Sequence, residues 1–167
     1  MDGYLKKKTC CFTGHRKISK EKLGELEELL DATLDKFVRA GIVNYRAGGA
    51  LGFDTIAAER VLKLKEREDA PKVTLELILP CKDQTKGWTS DDIKRYEDIL
   101  SRADKVVFLH ESYTKGCMHE RNRALVDGSE VCLAYCTSKE GGTAYTVAYA
   151  EKTDVAVINL ARLMKKG

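Results

Sequence analysis

Short apolar runs alternate along this chain with longer segments in which apolar residues recur every three or four positions. A short apolar run is typical of a strand buried on both faces, and the wider spacing is typical of a helix with one buried side. The runs predict six strands, at residues 9–13, 42–47, 73–79, 105–109, 131–135 and 155–159. The segments between them predict helices.

The first two predicted helices have recognisable ends. The first carries one apolar stripe, made of Leu23, Leu26, Leu30, Leu34 and Phe37. We expect Ser19 to cap its start and Gly41 to end it, as a glycine beyond the last turn commonly does. Asp54 is expected to cap the second helix, which runs to about Arg67.

Three more helices complete the alternation. The third starts at residues 89–92, with two carboxylates where the helix dipole favours them. Its buried stripe is predicted to comprise Ile93, Tyr96, Leu100 and Ala103. The fourth covers residues 118–126, and the fifth begins at residues 141–143.

This alternation favours an α/β fold with a Rossmann-like, doubly wound, mainly parallel sheet of about six strands and helices on both faces. A length of 167 residues suits one domain, which we expect to span residues 1–167. Right-handed crossovers would place the first strand at the centre of the sheet. Ligands bind such sheets at the carboxyl ends of the strands, so the loops that follow the strands are the candidate functional regions.

Composition narrows the class of protein. Hydrophobic residues make up 43% of the chain and charged residues 33%, which is a globular composition. A net charge of +3 is a poor footprint for extended binding of duplex DNA, where a strongly basic surface is expected. Residues 1–14 lack the apolar stretch of a secretory signal, and no run of about 18 apolar residues predicts a membrane span. We therefore expect a cytoplasmic protein with no membrane partner.

The six cysteines and three histidines follow no metal-binding pattern. Neither a Cys-x-x-Cys pair nor a His-Glu-x-x-His motif occurs, so we expect no metal and no cofactor. The cysteines are expected to be buried thiols, which behave as small apolar residues. The neighbours Cys10 and Cys11 should then point to opposite faces of the first strand.

Two glycine-rich loops lead from a predicted strand into a predicted helix. The residues concerned are Gly48, Gly49, Gly52, Gly141, Gly142 and Thr143. A glycine lets a ligand approach the backbone, and the unpaired N–H groups at a helix start favour a phosphate. Neither loop matches the Walker A or the dinucleotide-binding pattern, and a tight structural turn is the alternative for each. We expect both loops to contact phosphate.

Cationic and polar residues lie beside these loops. Arg121 and Asn122 fall in the fourth predicted helix, where a guanidinium group binds phosphate through two parallel hydrogen bonds or else pairs with a neighbouring carboxylate. Gly14, His15 and Arg16 follow the first strand. The histidine there either hydrogen-bonds a ligand or serves the structure alone.

Three further residues complete the candidate site. Trp88 is either an aromatic platform for a base or a packing residue beneath a loop. Asp54 or Asp127 is expected to accept hydrogen bonds from ribose hydroxyls. We expect Arg121 near the surface of a cleft, so that its loss affects ligand binding more than stability.

In their order along the chain, these motifs resemble the YpsA-like subgroup of the SLOG superfamily. The segments that carry the resemblance are TGHR, GGALGFDTIAAE, LPCKDQTKGW, RYEDILSRADKVVFL, MHERNRALVD and GGTAYTVAYA. The resemblance implies a Rossmann-like fold, a nucleotide or nucleotide-derived ligand, and a homodimer or higher homo-oligomer. The ligand region that it implies comprises Gly14, His15, Arg16, Gly48, Gly49, Asp54, Arg121, Asn122, Gly141, Gly142 and Thr143.

One departure from the superfamily concerns catalysis. Its lonely-guy phosphoribohydrolases carry a catalytic glutamate soon after a Pro-Gly-Gly-x-Gly-Thr motif, but here the proline is absent and Val147 and Ala148 stand about where that acid would be. An N-glycosidic bond breaks through an oxocarbenium-like state that a nearby carboxylate stabilises. Hydrolysis is therefore disfavoured unless Asp54, Glu59 or Glu111 supplies the acid from another loop.

The function we expect is the binding or sensing of a nucleotide or nucleotide-derived small molecule at the carboxyl ends of the strands. No catalytic residue is assigned. The alternatives are a phosphoribohydrolase-like enzyme that cleaves a nucleoside monophosphate, and a binder of single-stranded DNA similar to DprA, another SLOG protein. The small net charge of +3 counts against the DNA binder.

Overall fold

Six strands and five helices alternate in the computed structural model, which describes residues 8–70 and 72–165. The strands are β1 (Thr9–Gly14), β2 (Asn44–Ala47), β3 (Thr74–Leu79), β4 (Lys105–Phe108), β5 (Val131–Tyr135) and β6 (Ala156–Asn159). The helices are α1 (Lys20–Arg39), α2 (Phe53–Lys65), α3 (Ser90–Arg102), α4 (Cys117–Asp127) and α5 (Gly142–Lys152), and a 3-10 turn (Leu160–Arg162) follows β6. Residues 1–7 lie outside the described residues. They belong to the segment, residues 1–14, in which the sequence shows no secretory signal.

The strands form one parallel sheet in the order β4-β3-β2-β1-β5-β6. β1 lies in the middle, where Cys11 is paired with Arg46 of β2 on one side and with Cys132 of β5 on the other. The predicted doubly wound sheet with a central first strand is therefore confirmed. The chain builds one half of the sheet through β4 and then returns to β5 beside β1, and this reversal opens a crevice at the carboxyl ends of β1 and β5.

Each face of the sheet has its own buried core. Cys10 and Phe12 of β1 pack into the cluster beneath α1, α2 and α3, whereas Cys11 packs with Leu125 and Ala150 of α4 and α5. The two adjacent cysteines thus point to opposite faces, as predicted. Five cysteines are buried and Cys136 is partly exposed.

A chain of aromatic rings fixes the ends of the central strands. Phe12 lies 6.0 Å from Tyr45 of β2 and 6.2 Å from Phe53 of α2, measured between ring centroids. Phe53 in turn stacks on Tyr135 at the end of β5, at 6.2 Å. Aromatic pairs of this kind contribute about 0.5–1.5 kcal/mol each beyond burial. The loops after β1, β2 and β5 therefore start from a rigid base.

The start of α2 differs from the prediction. The helix begins at Phe53 with Gly52 as its N-cap, so Asp54 does not cap it but lies in the first turn. The Asp54 carboxylate accepts a hydrogen bond from the backbone N–H of Ala50, at 3.2 Å, and so closes the preceding turn. The helix ends at Lys65, two residues before the predicted end.

Smaller differences have local causes. β2 begins at Asn44 because the N–H of Ile42 still bonds to the carbonyl of Phe37 at the end of α1. The buried residues of α3 are Tyr96 and Ile99, whereas the predicted Ile93 is only partly buried. Of the helices that the structure describes, none is both long and apolar enough to cross a membrane.

Candidate anion-binding cleft at the carboxyl ends of the strands

A cleft of about 250 Å³ opens where β1 and β5 end, at the reversal of strand order. Its walls are the loop after β1, the turn into α2, one side of α4 and the start of α5. The lining residues are Thr13, Gly14, His15, Arg16, Ala50, Asp54, Met118, Arg121, Asn122, Glu140, Gly141, Gly142 and Thr143. We call this the anion cleft, for the reasons that follow.

Arg121 of α4 forms the floor of the anion cleft and is only 5% exposed. Its Nε donates to Asn122 Oδ1 at 2.7 Å, and its Nη1 donates to the carbonyl oxygen of Gly48. The remaining nitrogen, Nη2, has one partner among the residues that the structure describes, the Met118 sulfur at 3.9 Å, which is a weak acceptor. A guanidinium carries five N–H donors, so several of them are left for a ligand.

Asp54 is the buried carboxylate of the anion cleft, with 6% of its surface exposed. Burial raises its pKa to about 6, and the positive charges of Arg121 and Arg16 oppose that rise. The same burial lowers the pKa of Arg121 from its usual value, and the charge of Asp54 acts against that decrease. Asp54 therefore changes charge near neutral pH, within a site that holds two arginines.

His15 ties two loops of the anion cleft together. Its Nε2 accepts a hydrogen bond from the backbone N–H of Thr137, at 2.8 Å, and its ring lies edge-on to Tyr135. A backbone N–H only donates, so Nε2 carries no proton in this arrangement. Next to it, Arg16 is exposed and forms no ion pair with any residue of the described ranges 8–70 and 72–165.

The start of α5 points its free N–H groups at the anion cleft. Gly141 is its N-cap, with a φ of 97° that favours glycine, and no side chain within the described part of the chain caps the helix. A Cβ atom placed on Gly141 or Gly142 would meet no atom within 4 Å. The first turn also contains no acidic residue. The positive end of this helix is therefore open to an anion.

The other glycine-rich loop is filled by the protein itself. A Cβ atom on Gly48 would come within 2.8 Å of Arg121 Nη1, so this glycine makes room for the buried guanidinium. The carbonyl oxygen of Gly49 accepts a hydrogen bond from Gln84 Nε2 at 2.8 Å. Both residues lie behind the anion cleft and support it from there.

Gly52 has a similar supporting position. Its φ of 78° suits glycine, and a Cβ atom there would collide with the carbonyl of Arg16. The N–H of the next residue, Phe53, donates to the carbonyl of His15 at 3.1 Å. The start of α2 thus has a protein partner and holds the Asp54 carboxylate, so it offers less to a phosphate than the start of α5.

Nine of the residues predicted from the sequence line the anion cleft together. They are Gly14, His15, Arg16, Asp54, Arg121, Asn122, Gly141, Gly142 and Thr143. The other five predicted residues do not line it: Gly48, Gly49, Gly52, Trp88 and Asp127. The three glycines lie behind the cleft. Trp88 packs edge-on against Tyr96 with ring centroids 5.5 Å apart, and Asp127 accepts a hydrogen bond from the Tyr149 hydroxyl at 2.6 Å.

Four lining residues were missed by the sequence analysis. Met118 could have been found, because it lies one helical turn before Asn122 and therefore on the same face of α4. Glu140 directly precedes the glycine pair, and Thr13 ends the run of β1. Ala50 carries no side-chain signal, since its backbone N–H makes its contribution.

Three carboxylates were considered as replacements for the missing catalytic glutamate, and of these only Asp54 lines the anion cleft. Glu59 pairs with Arg95 at 2.5 Å, and Glu111 pairs with Lys82 at 3.0 Å, both outside it. Within residues 8–70 and 72–165, no three histidine, cysteine or acidic side chains are grouped as a metal site would require.

A comparison with models of protein families shows which family this chain belongs to. The family model for YpsA, described as the YspA SLOG family, matches residues 2–162. The chain belongs to this YpsA family. The resemblance noted from the motifs is thereby confirmed.

Several Bacillus proteins are similar to this YpsA-family chain. The SPbeta prophage-derived protein YoqJ of Bacillus subtilis (strain 168) is 27% identical over 142 residues, which cover 77% of this chain and 82% of YoqJ. The UPF0398 protein YpsA of the same strain is 28% identical over 130 residues, covering 76% and 71%. A UPF0398 protein of Bacillus thuringiensis (strain Al Hakam) is 31% identical over 134 residues, covering 76% and 70%.

Two solved structures share the fold. DNA processing protein A (DprA) from Helicobacter pylori superposes with a TM-score of 0.65 at 21% identity, covering 93% of this chain and 67% of that protein. DprA from Streptococcus pneumoniae superposes with a TM-score of 0.66 at 18% identity and covers 92% of this chain. The YpsA-family chain spans half of the S. pneumoniae protein. At these identities the likeness shows the Rossmann-like fold alone.

Proposed function

We propose that this YpsA-family protein binds a nucleotide or nucleotide-derived small molecule, with the phosphate in the anion cleft. One observation carries the proposal. The guanidinium of Arg121 is buried with N–H donors left over, and it lies in the same cleft as the uncapped start of α5. A buried charge with unfilled donors is costly, and an anionic ligand supplies the missing acceptors.

The surrounding groups suit a phosphate. Arg16 adds a second, exposed guanidinium at the rim, and Gly141 and Gly142 leave open space in front of the helix start. Charge-assisted hydrogen bonds from Arg121 would act together with the dipole of α5. The volume of about 250 Å³ accommodates a phosphate with a pentose.

The cytoplasmic location, the homo-oligomeric state and the extent of the domain remain predictions.

Calorimetric titration with AMP, ribose 5-phosphate and inorganic phosphate tests the proposal. Because Arg16 is exposed, Arg16→Ala should keep the fold, and it should weaken binding by about 10-fold or more, the scale of a hydrogen bond to a charged group. Lys17→Ala removes the neighbouring exposed cation, which does not line the cleft, and is the matched control. Equal effects of the two substitutions, or no binding of any phosphate compound, would contradict the proposal.

A hydrolytic function is the second candidate, and Asp54 favours it. This carboxyl group lines the anion cleft and has a pKa raised to about 6, which is a suitable value for a general acid or base near neutral pH. It would compensate for the missing glutamate at residues 147–148 if it reached the glycosidic bond. Release of a free base from a nucleoside monophosphate distinguishes this candidate from simple binding.

Binding of single-stranded DNA is the third candidate, on the strength of the shared fold. The H. pylori DprA structure concerns a single-stranded DNA binding mode. Such binding weakens steeply as salt increases, because counterions are released from the phosphates. Titration of a fluorescent oligonucleotide at low and moderate salt, with AMP as competitor, separates the two ligands. Oligonucleotide binding that AMP does not displace would favour the DNA candidate.

A further inference from the structure

A second groove, of about 310 Å³, adjoins the anion cleft. Arg16 lines both. The backbone of residues 15–16 runs between them, held down by the hydrogen bond from Phe53 N–H to His15 and by the close approach of Gly52 to Arg16. We call it the side groove; it lies among the loop after β1, α1, α2 and the start of α3.

One part of the side groove is apolar. Ile18, Leu23, Leu51 and Ile56 line it beside six charged residues, and of these four Ile56 is buried and the others are partly buried. A flat, largely apolar ring placed on these side chains would remove apolar surface from water on both sides of the contact.

Two of the cations that line the side groove are held in ion pairs, and one of its carboxylates, Asp92, acts on Arg95 through its charge alone. Arg60 pairs with Glu27 at 3.0 Å, and Arg95 pairs with Glu59 at 2.5 Å. Asp92 also lines the groove and forms no ion pair with any described residue. An ionised carboxylate only accepts hydrogen bonds, so the rim is suited to a ligand that donates them.

A third cavity, of about 550 Å³, lies between α5 and the turn after β6, and it is larger than the side groove. It shares no lining residue with the anion cleft, whereas the side groove shares Arg16. A ligand whose phosphate lies in the anion cleft therefore reaches the side groove by passing over residues 15–16, of which Arg16 lines both. The continuity through Arg16 favours the side groove as the place for the rest of that ligand.

We infer that the side groove holds the base of the nucleotide whose phosphate occupies the anion cleft, and that this base carries an exocyclic amino group. The inference rests on the proposed function. The four apolar side chains take the ring, the Asp92 carboxylate accepts from the amino group, and Arg16 lies between base and phosphate. The ligand class is an amino-bearing nucleoside phosphate.

Three phosphate compounds test the ligand class by calorimetry on the full chain. AMP carries an amino group, inosine monophosphate has a carbonyl at the same ring position, and ribose 5-phosphate has no base. AMP should bind about 10-fold or more tightly than ribose 5-phosphate, because its base buries apolar surface. It should bind about 3–10-fold more tightly than inosine monophosphate, the scale of one hydrogen bond.

Two variants locate the base. Leu51→Trp fills the side groove and should abolish the advantage of AMP over ribose 5-phosphate, while the affinity for ribose 5-phosphate stays unchanged. Ala148→Trp fills the larger cavity at an exposed position and should leave both affinities unchanged. Asp92→Asn should remove the preference for AMP over inosine monophosphate, since an amide both donates and accepts.

The outcomes separate this inference from the proposed function. If ribose 5-phosphate binds but AMP binds no more tightly, or if Ala148→Trp alone removes the advantage of AMP, the base does not lie in the side groove and the inference is overturned. A preference for AMP that persists in Asp92→Asn overturns the assignment of the amino group. If no phosphate compound binds at all, the proposed function itself fails.

Discussion

Arg121 serves the fold and the candidate site at the same time. We expected it near the surface of a cleft, but it is 5% exposed and donates to the buried carbonyl of Gly48. The expected surface position is therefore wrong, and the small effect on stability that was inferred from it no longer follows. Because Gly48 has no Cβ atom, the loop after β2 can close over the guanidinium, and the arginine holds that loop in place.

Truncation of Arg121 should destabilise the protein. Arg121→Ala leaves the carbonyl of Gly48 without its partner, which costs about 1–3 kcal/mol when the group is buried. We expect the free energy of unfolding, measured with urea, to fall by about that amount, together with a loss of phosphate binding. Arg123→Ala, on the same helix but outside the anion cleft, is the control. An unchanged unfolding curve would show that Arg121 does not support the loop.

Asp54 should make stability depend on pH. The folded protein raises its pKa from 3.8 to about 6, so the folded state holds the proton more tightly than the unfolded state. Stability due to this group is therefore present below pH 4 and lost as the pH rises to about 6. The Asp54→Asn variant has no carboxyl group here and does not lose this stability. The free energy of unfolding of the variant minus that of the unmodified protein should therefore increase by up to about 3 kcal/mol between pH 4 and pH 7.

Urea unfolding of both proteins at several pH values measures this difference. Asp91→Asn makes the same change at an exposed carboxylate and controls for the substitution. A stability difference between Asp54→Asn and the unmodified protein that stays constant from pH 4 to pH 7 would show that burial does not shift this group.

At the scale of elements, two helix starts that look alike in sequence differ in the fold. Both α2 and α5 follow a glycine-rich loop. The start of α2 is closed by the protein, since Gly52 lies against the loop after β1 and Asp54 occupies the first turn. The start of α5 faces open space and carries no acid. The local motif predicts a turn in both cases, but tertiary packing decides which turn is accessible to a ligand.

A carboxylate placed at the start of α5 should compete with the ligand. Thr143→Asp puts a negative charge in the first turn, where the dipole stabilises it by about 0.3–1 kcal/mol. The melting temperature should therefore stay the same or rise, while the affinity for ribose 5-phosphate falls about 10-fold or more. Thr143→Asn, which is neutral and of similar size, should retain binding. Unchanged affinity in Thr143→Asp would place the phosphate elsewhere.

The order of elements could be predicted from the sequence because the central strands are buried on both faces. Every residue of β5 is buried, so its apolar run has no polar interruption. Element ends were less accurate where a tertiary contact sets them, as at the start of α2, where the Phe53 N–H bonds to the carbonyl of His15 and Gly52 lies against Arg16. The position of Asp127 depends on Tyr149 of the neighbouring helix, which no local pattern shows. Trp88 takes the packing position that the sequence left open as an alternative, against Tyr96 of α3.

At the scale of the whole molecule, the sheet order concentrates the candidate chemistry. β1 lies between β2 and β5, so three loops that are far apart in sequence meet at one edge. Four residues from separate parts of the chain line one cleft. They are Arg16 after β1, Asp54 in the first turn of α2, Arg121 in α4 and Gly141 at the start of α5. Parallel strands with right-handed crossovers require this convergence, and it is why the site region could be predicted without coordinates.

The same convergence bears on catalysis. The anion cleft keeps the cationic half of a phosphoribohydrolase site, in Arg121 and the start of α5, and adds one buried carboxyl group, Asp54. Asp54 also has a structural partner, because it accepts the Ala50 N–H and closes the turn before α2. The residues that follow the glycine pair, 143–148, contain no acid that could stabilise positive charge on a ribose.

We therefore predict no measurable release of base from AMP, GMP or a cytokinin monophosphate. A general acid–base group contributes typically about 10²–10⁴-fold. Because the one buried carboxyl group of the cleft, Asp54, already closes the turn at Ala50, the cleft should hold the phosphate while turnover stays near background. Chromatography of products at high protein concentration measures this, with Arg16→Ala as a control for contaminating hydrolases. Base release that Arg16→Ala reduces would refute the prediction. If Asp54→Asn then abolished the release while the affinity for ribose 5-phosphate was retained, Asp54 would be the relocated acid and the protein an enzyme.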